Sequence, residues 1–186
     1  MPDTARPASP RRDELLEAAY GYVLDHGLGD LSLRPLAAAI GSSPRVLLYL
    51  FGSKDGLVRA LLARARDDEL ALLARAAPGG GDLGAVVRTT WRWLTAPEHR
   101  RLLALWVEAY ATSLVQPAGP LGDFARATVE DWLAILAAAP GAGGDPAAPT
   151  LALAVLRGAL LDLLATGDVE RTTAAVERYL APTPVR

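Results

Sequence analysis

The 186-residue chain contains no cysteine, which excludes disulfide frameworks, thiolate metal sites and cysteine nucleophiles together. Its two histidines, His26 and His99, are too few for a His-rich metal centre, so no metal, cofactor or catalytic group is expected. The N-terminal Met1-Pro2-Asp3-Thr4-Ala5-Arg6-Pro7 has no apolar core and does not read as a signal peptide. No uncharged apolar run reaches the 18 or so residues of a membrane span; the candidates around 132–139 and 150–156 end at proline or charge. These absences point to a cytoplasmic protein without a membrane. Nor is there a global basic excess, since the net charge is −2. With 51% hydrophobic and 22% charged residues, the composition is that of a globular chain able to bury a core.

What is present is helical periodicity punctuated by Gly and Pro, with no alternating strand pattern. Leu15, Ala18, Ala19, Tyr22, Val23 and His26 form one face of a first helix, stopped at Gly27. Ser32 is placed to cap a short second helix with Leu33, Leu36, Ala37 and Ile40 on its inner face, ended by Gly41. Ser43-Pro44 opens a third over 45–51, where proline costs little because the first helical N–H has no partner anyway. Ser53 caps a long fourth helix, 54–77. Pro78-Gly79-Gly80-Gly81 is the clearest break. Helices at 82–95, 98–115 and 120–139 follow, then a flexible Pro140–Pro146 connection, then helices at 150–165 and 169–180. The fold class is therefore all-α, with about nine helices. The expected division is 1–53 for an N-terminal domain and 54–186 for the remainder, with helix 54–77 joining them.

Charge is concentrated where it is useful. Between residues 31 and 66 the basic residues Arg34, Arg45, Lys54, Arg59, Arg64 and Arg66 face one acid, Asp55, so six minus one leaves a local +5. Two short helices joined by Gly41-Ser42-Ser43 have the dimensions of a helix-turn-helix, whose second helix enters the major groove. At 100° per residue, Leu47, Leu48 and Phe51 fall on one side of that helix, and Arg45, Val46 and Tyr49 on the other. Lys54, the one lysine in the chain, sits in the first turn of the fourth helix, where a cation is favourable only if an anion joins it. Spacing of this kind also occurs in all-α cores, so an all-α interaction protein without DNA binding is the alternative reading.

The segment 11–62 resembles the N-terminal domain of TetR-family transcriptional regulators. The match lies at Ala37, Gly41, Ser43, Phe51, Ser53, Lys54, Asp55 and Leu57. Two positions depart from it: Leu48 stands where the family usually has Tyr, and Leu50 where it commonly has a polar or aromatic residue. The resemblance implies an operator in double-stranded DNA, contacted by Ser32, Arg34, Ser43, Pro44, Arg45, Val46, Tyr49 and Lys54. It also implies a repressor with a small-molecule effector pocket in the later helices.

On the wheel Trp91, His99, Leu102, Trp106, Tyr110, Phe124, Thr128 and Trp132 form an aromatic stripe with sparse polar groups, which reads either as core or, as the resemblance implies, as the wall of that pocket. Arg88, Arg92, Arg100, Arg101 and Arg126 all fall at flanks or outside, so a neutral or weakly cationic apolar or aromatic ligand is expected. The helix at 150–165 is apolar nearly all round, with only Arg157 and Asp162 charged, and so needs burial on both sides. That points to a homodimer through helices 150–165 and 169–180, with Gly158 and Ala159 permitting close approach. The acidic triplet Asp67-Asp68-Glu69 reads as a solvated helix face rather than as an enzyme site.

Overall fold

A computed structural model describes residues 10–29, 31–76, 81–140 and 142–181. The N-terminal segment and the Pro78-Gly79-Gly80 break lie outside those residues, as does Gly141. Among the described residues there are nine α-helices and no strand. They are α1 (Pro10–His26), α2 (Leu33–Ala39), α3 (Pro44–Phe51), α4 (Lys54–Ala76), α5 (Leu83–Leu94), α6 (Arg100–Val115), α7 (Phe124–Ala137), α8 (Ala148–Thr166) and α9 (Val169–Leu180).

Local chemistry sets most of these boundaries. Gly27 takes φ +77° and ends α1, because a left-handed residue cannot continue the helix. The Ser43 hydroxyl accepts the Val46 N–H at 3.3 Å with Pro44 in the first turn of α3. The Ser53 hydroxyl accepts the Gly56 N–H at 2.9 Å at the start of α4. Asp82 and Asp168 cap α5 and α9 in the same way. Ser32 precedes α2, but its side chain makes no capping hydrogen bond.

Three expectations need correction. Helix α7 begins at Phe124 rather than 120, because Gly119 and Gly122 close successive turns through bonds to Gln116 and Gly119 carbonyls. Ser113 of α6 locks that turn, donating to the Gly122 carbonyl and accepting the Ala125 N–H, both at 3.1 Å. Helix α6 begins at Arg100, after a short 3-10 turn at Pro97–His99. The Pro140–Pro146 connection is less loose than its composition suggests: Ala142–Gly144 forms a 3-10 turn and Ala142 is buried.

Two apolar clusters organise the helices. The first joins α1 to α4 through Ala19, Val23, Leu36, Leu47, Phe51, Leu57 and Leu61, and extends to Leu105, Ala109 and Leu121. The second joins α5 to α9 through Val87, Trp91, Leu103, Trp132, Leu156 and Val176. Helix α4 therefore packs into the first cluster along its N-terminal half, and α6 contributes to both.

Helix α8 departs from its expected all-round burial. Leu153, Leu156, Leu160 and Leu163 are buried inside the chain, whereas Leu151 is 55% and Leu161 51% exposed. Counting past Arg157, an 18-residue window of α8 reaches a mean hydropathy of 1.6, so by length and composition α8 is apolar enough to cross a membrane, whereas the count of uncharged residues above stops at that arginine. In this fold one side of α8 is packed against α5, α6, α7 and α9. Its Asp162 is held bidentately by Arg171 of α9, both bonds at 2.6 Å. Those bonds keep the Asp162 carboxyl below its usual range.

Candidate DNA-reading helix and apolar pocket

On α3, burial follows Leu47 and Phe51, and the opposite side is open. Arg45 and Val46 are exposed, and Tyr49 is 68% exposed. Leu48, expected to pack inward, is instead 41% exposed. An eight-residue helix that packs mainly on α2 and α4 leaves a third row of side chains uncovered. Ser32, Arg34 and Lys54 are exposed, and Ser43 and Pro44 half-buried, so all eight candidate contact residues reach the surface. Leu48 joins them as an apolar neighbour of Tyr49.

The local charge is smaller than the count suggests. Arg64 pairs with Glu17 of α1 and Asp68 of its own helix, and Arg66 pairs with Asp131 of α7. Arg34, Arg45, Lys54 and Arg59 point outward beside Asp55, so four minus one leaves +3 on the outer surface. The carboxylate partners hold the Arg64 guanidinium firmly protonated, and burial, then Asp68, pushes the nearby Tyr20 hydroxyl above its ordinary range. Asp68 is thus a structural partner rather than part of a solvated acidic face. Among the described residues no cluster of three acidic or histidine side chains could hold a metal.

In the second half, the indole of Trp106 separates two small cavities. One lies between Leu94, Leu103, Trp132, Leu153, Leu156, Arg157 and Leu160. The other lies between Leu62, Ala65, Arg66, Trp93, Leu102, Leu103, Leu105 and Phe124. Each measures about 10 Å³, room for about one water. Beyond Phe124 and Arg66 an open groove of about 410 Å³ runs between α4 and the α6–α7 turn.

Leu102, Trp106, Phe124 and Trp132 line these cavities. Tyr110 stacks on Trp106, with ring centroids 5.0 Å apart. The other candidates are engaged elsewhere. Trp91 is buried with its indole N–H on the Thr173 hydroxyl at 2.9 Å. Thr128 donates to the Phe124 carbonyl in its own helix, and His99 stacks on Trp93 and donates Nδ1–H to the Trp93 carbonyl.

The residue that wheel reasoning missed is Arg157. Its guanidinium carbon lies 4.9 Å from the Tyr110 ring centroid and 5.7 Å from that of Trp106, and Nη1 donates to the Tyr110 hydroxyl at 3.1 Å. Being the sole cation within an apolar run was the available signal; its direction depended on where α6 packs. Arg157 stands on α8, outside the α5–α7 faces to which the expectation of no unpaired inward base applies, and it is a hydrogen-bonded cation beside the cavities.

The reading surface is tied to the later helices through α6. Glu108 accepts the Leu28 N–H at 2.9 Å, gripping the loop between α1 and α2. A Cβ on Gly27 or Gly29 would approach that carboxylate to 3.1 Å, so two glycines allow the grip. Arg101 of α6 pairs with Asp25 near the end of α1.

Residues 15–61, which span α1 to α3 and the start of α4, match the profile of the bacterial regulatory proteins of the tetR family. The HTH-type transcriptional regulator BetI of Rhizobium meliloti is 32% identical over 127 residues, 56% of this chain and 63% of the relative. BetI of Stenotrophomonas maltophilia is 25% identical over 112 residues, 58% and 56% of the two chains. The chain thus spans under two thirds of the length of these curated relatives. Solved structures align more completely. The multidrug binding protein EbrR complexed with imidazole is 28% identical with TM-score 0.69, covering 96% of this chain and 98% of that one. A TetR-family member from Streptomyces coelicolor A3 is 28% identical with TM-score 0.72, covering 94% and 100%. With its helix-turn-helix and its nine helices among the described residues, the chain shares the fold of TetR-family regulators, and residues 15–61 carry the N-terminal profile of the tetR family of bacterial regulatory proteins.

Proposed function

We propose that this chain is a homodimeric, ligand-responsive repressor that leaves a palindromic operator when a small, apolar, partly aromatic effector binds near Trp106. The observation that carries the reading is the outer face of α3: Arg45, Val46 and Tyr49 stand exposed on a helix whose other side is anchored in the first core. An arginine suits guanine, a small aliphatic residue the thymine methyl, and a tyrosine phosphate or stacking. The proposed division places residues 1–53 in the reading domain and 54–186 in the ligand and dimer domain, within the cytoplasm.

Dimerisation is inferred from α8 and α9. Leu151, Ala154, Gly158, Leu161 and Ala165 recur on one exposed stripe of α8, and Val169 continues it on α9. An added Cβ at Gly158 would meet nothing within 4 Å, so a second copy of the helix can approach closely there. Two copies would form a four-helix bundle and hold two α3 helices for half-sites about 34–36 Å apart. The EbrR complexes with imidazole and proflavin support a pocket for small planar molecules in this fold. Signal transfer is assigned to α6. Residues 106 and 108 lie about 200° apart on that helix, so displacement of Trp106 moves Glu108 and the loop it grips. The effector lowers DNA affinity by no more than its preference for the released state.

Gel shifts against genomic fragments test the reading. Arg45→Ala is expected to cost about 1–3 kcal/mol and to relax preference at one base. Lys54→Ala should weaken all sequences alike and flatten the salt slope by about one unit, as loss of a phosphate contact does. Equal loss of sequence preference in both variants would reject these roles. Failure to retain any fragment at low salt would favour the interaction protein instead.

A further inference from the structure

Eight large hydrophobic side chains stand exposed among the described residues, and three of them, Val46, Leu48 and Tyr49, fall on the eight-residue α3. Single exposed leucines are ordinary, but three such side chains on two turns form a strip that gains by being covered. Leu48 is 41% exposed and belongs to neither apolar cluster, so neither core depends on it. The same three helices expose cations: Arg34 on α2, Arg45 on α3, and Lys54 and Arg59 on α4. An apolar strip among cations complements a polyanion that offers apolar groups between its charges, as the major groove of DNA does.

Val46 and Leu48 carry no side-chain donor or acceptor, so they discriminate bases only by apolar contact. In the major groove thymine alone presents an apolar group, its C5-methyl. Against the amino group of adenine or cytosine, or the carbonyl of guanine, a leucine strips water and returns no hydrogen bond.

Position on the helix narrows the choice of thymine. At about 100° per residue, Val46 lies about 100° to one side of Arg45 and Leu48 about 60° to the other. Exposure follows that order, with Tyr49 at 68% between Val46 at 38% and Leu48 at 41%. A helix with Arg45 and Tyr49 towards the groove floor turns Val46 and Leu48 to opposite strands. Leu48 also lies about 4.5 Å beyond Arg45 along the axis, somewhat more than the roughly 3.4 Å between base pairs.

We infer that Leu48 is a base-reading residue. It contacts the C5-methyl of a thymine one or two base pairs from the guanine assigned to Arg45, on the strand opposite to the thymine assigned to Val46. The inference rests on α3 being the groove-reading helix and adds a second methyl contact that sets the operator sequence.

The test starts from duplexes selected out of a random-sequence library by retention on the full chain. Each thymine of the recovered sequence is then replaced singly by deoxyuridine, one strand at a time; uracil pairs as thymine does and lacks only the methyl. In gel shifts, one uracil beside the guanine whose preference is lost in Arg45→Ala should weaken wild-type binding about fourfold, the worth of one buried methyl-sized group. In Leu48→Ala the thymine and uracil duplexes should bind alike at that position, while the uracil effect assigned to Val46 on the other strand persists. Leu48→Met, apolar and of similar volume, should keep the thymine preference. Both variants should melt with the wild type and keep its salt slope, because no core contact and no phosphate contact is lost. A recovered operator without thymine there, a wild type indifferent to uracil there, or a uracil penalty undiminished in Leu48→Ala overturns the inference and leaves Arg45 standing as a reader. If Arg45→Ala keeps every base preference, or no duplex is retained, the groove reading fails and this inference falls with it.

Discussion

Leu161→Arg is expected to give a folded monomer that binds operator DNA weaker than the parent dimer by about a hundredfold or more, since linked half-site contacts gain that much from tethering. Leu161 is 51% exposed on the outer stripe of α8, so arginine there extends into solvent in an isolated chain and leaves both cores intact. In the proposed dimer the two-fold axis brings two such guanidinium groups together in an apolar seam. Desolvating each costs several kcal/mol, with no carboxylate opposite to answer it. Sedimentation should show the wild type as a dimer at micromolar concentration and the variant as a monomer, with melting of the monomer still cooperative. Leu160→Arg is the contrasting control. Leu160 is 4% exposed and belongs to the second cluster, so a charge there should unfold the chain rather than divide the dimer. A wild-type chain that sediments as a monomer, or a Leu161→Arg variant that remains dimeric, removes α8 from the interface.

The difference between Leu160 and Leu161 illustrates what a sequence of this kind discloses. That α8 is a helix, and that it is too apolar to stand alone, follows from the run of leucines between Pro149 and Gly167. Which leucines face the partner does not follow, because periodicity is uninformative when nearly every position is apolar. In α3 the pattern is stronger, yet the wheel puts the exposed Leu48 inward, because it ranks directions without knowing that the eight-residue helix packs mainly on α2 and α4. The caps at Ser43 and Ser53 were legible because both partners lie within three residues. The start of α7 was not, because the turn before it is locked by Ser113, nine residues before the carbonyl that it binds. The aromatic lining of the two cavities was legible in part, since Trp106 lies one turn from Tyr110 in α6 and Trp132 one turn from Thr128 in α7. Its polarity was not, because the cation arrives from α8 and becomes inward only when α8 packs against α6. Glu108 escaped notice for a similar reason: its partner is a backbone N–H 80 residues away.

That contact makes the second large effect. Glu108→Ala is expected to disconnect the effector from DNA release. The half-buried Leu28 N–H would lose its acceptor, costing about 1–3 kcal/mol. For a chain of this size that lowers Tm by roughly 2–4 °C per kcal/mol. The more telling measurement is the coupling factor, the ratio of operator affinity without and with a flat aromatic probe that perturbs tryptophan fluorescence, on a genomic fragment that the wild type retains. Couplings of this kind are worth about 1–3 kcal/mol, or roughly 5–150-fold, and in Glu108→Ala the factor should fall towards unity. Probe binding, read by tryptophan fluorescence, should persist, because Trp106 and the cavity walls are untouched. Glu108→Gln separates the causes: its amide oxygen can still accept the Leu28 N–H, so it should restore most of both Tm and coupling. If alanine lowers Tm yet leaves the coupling factor unchanged, Glu108 is a brace and the signal travels instead through α4, whose N-terminal half packs with α1 and α3 while Leu62 and Ala65 line the cavity beside Trp106.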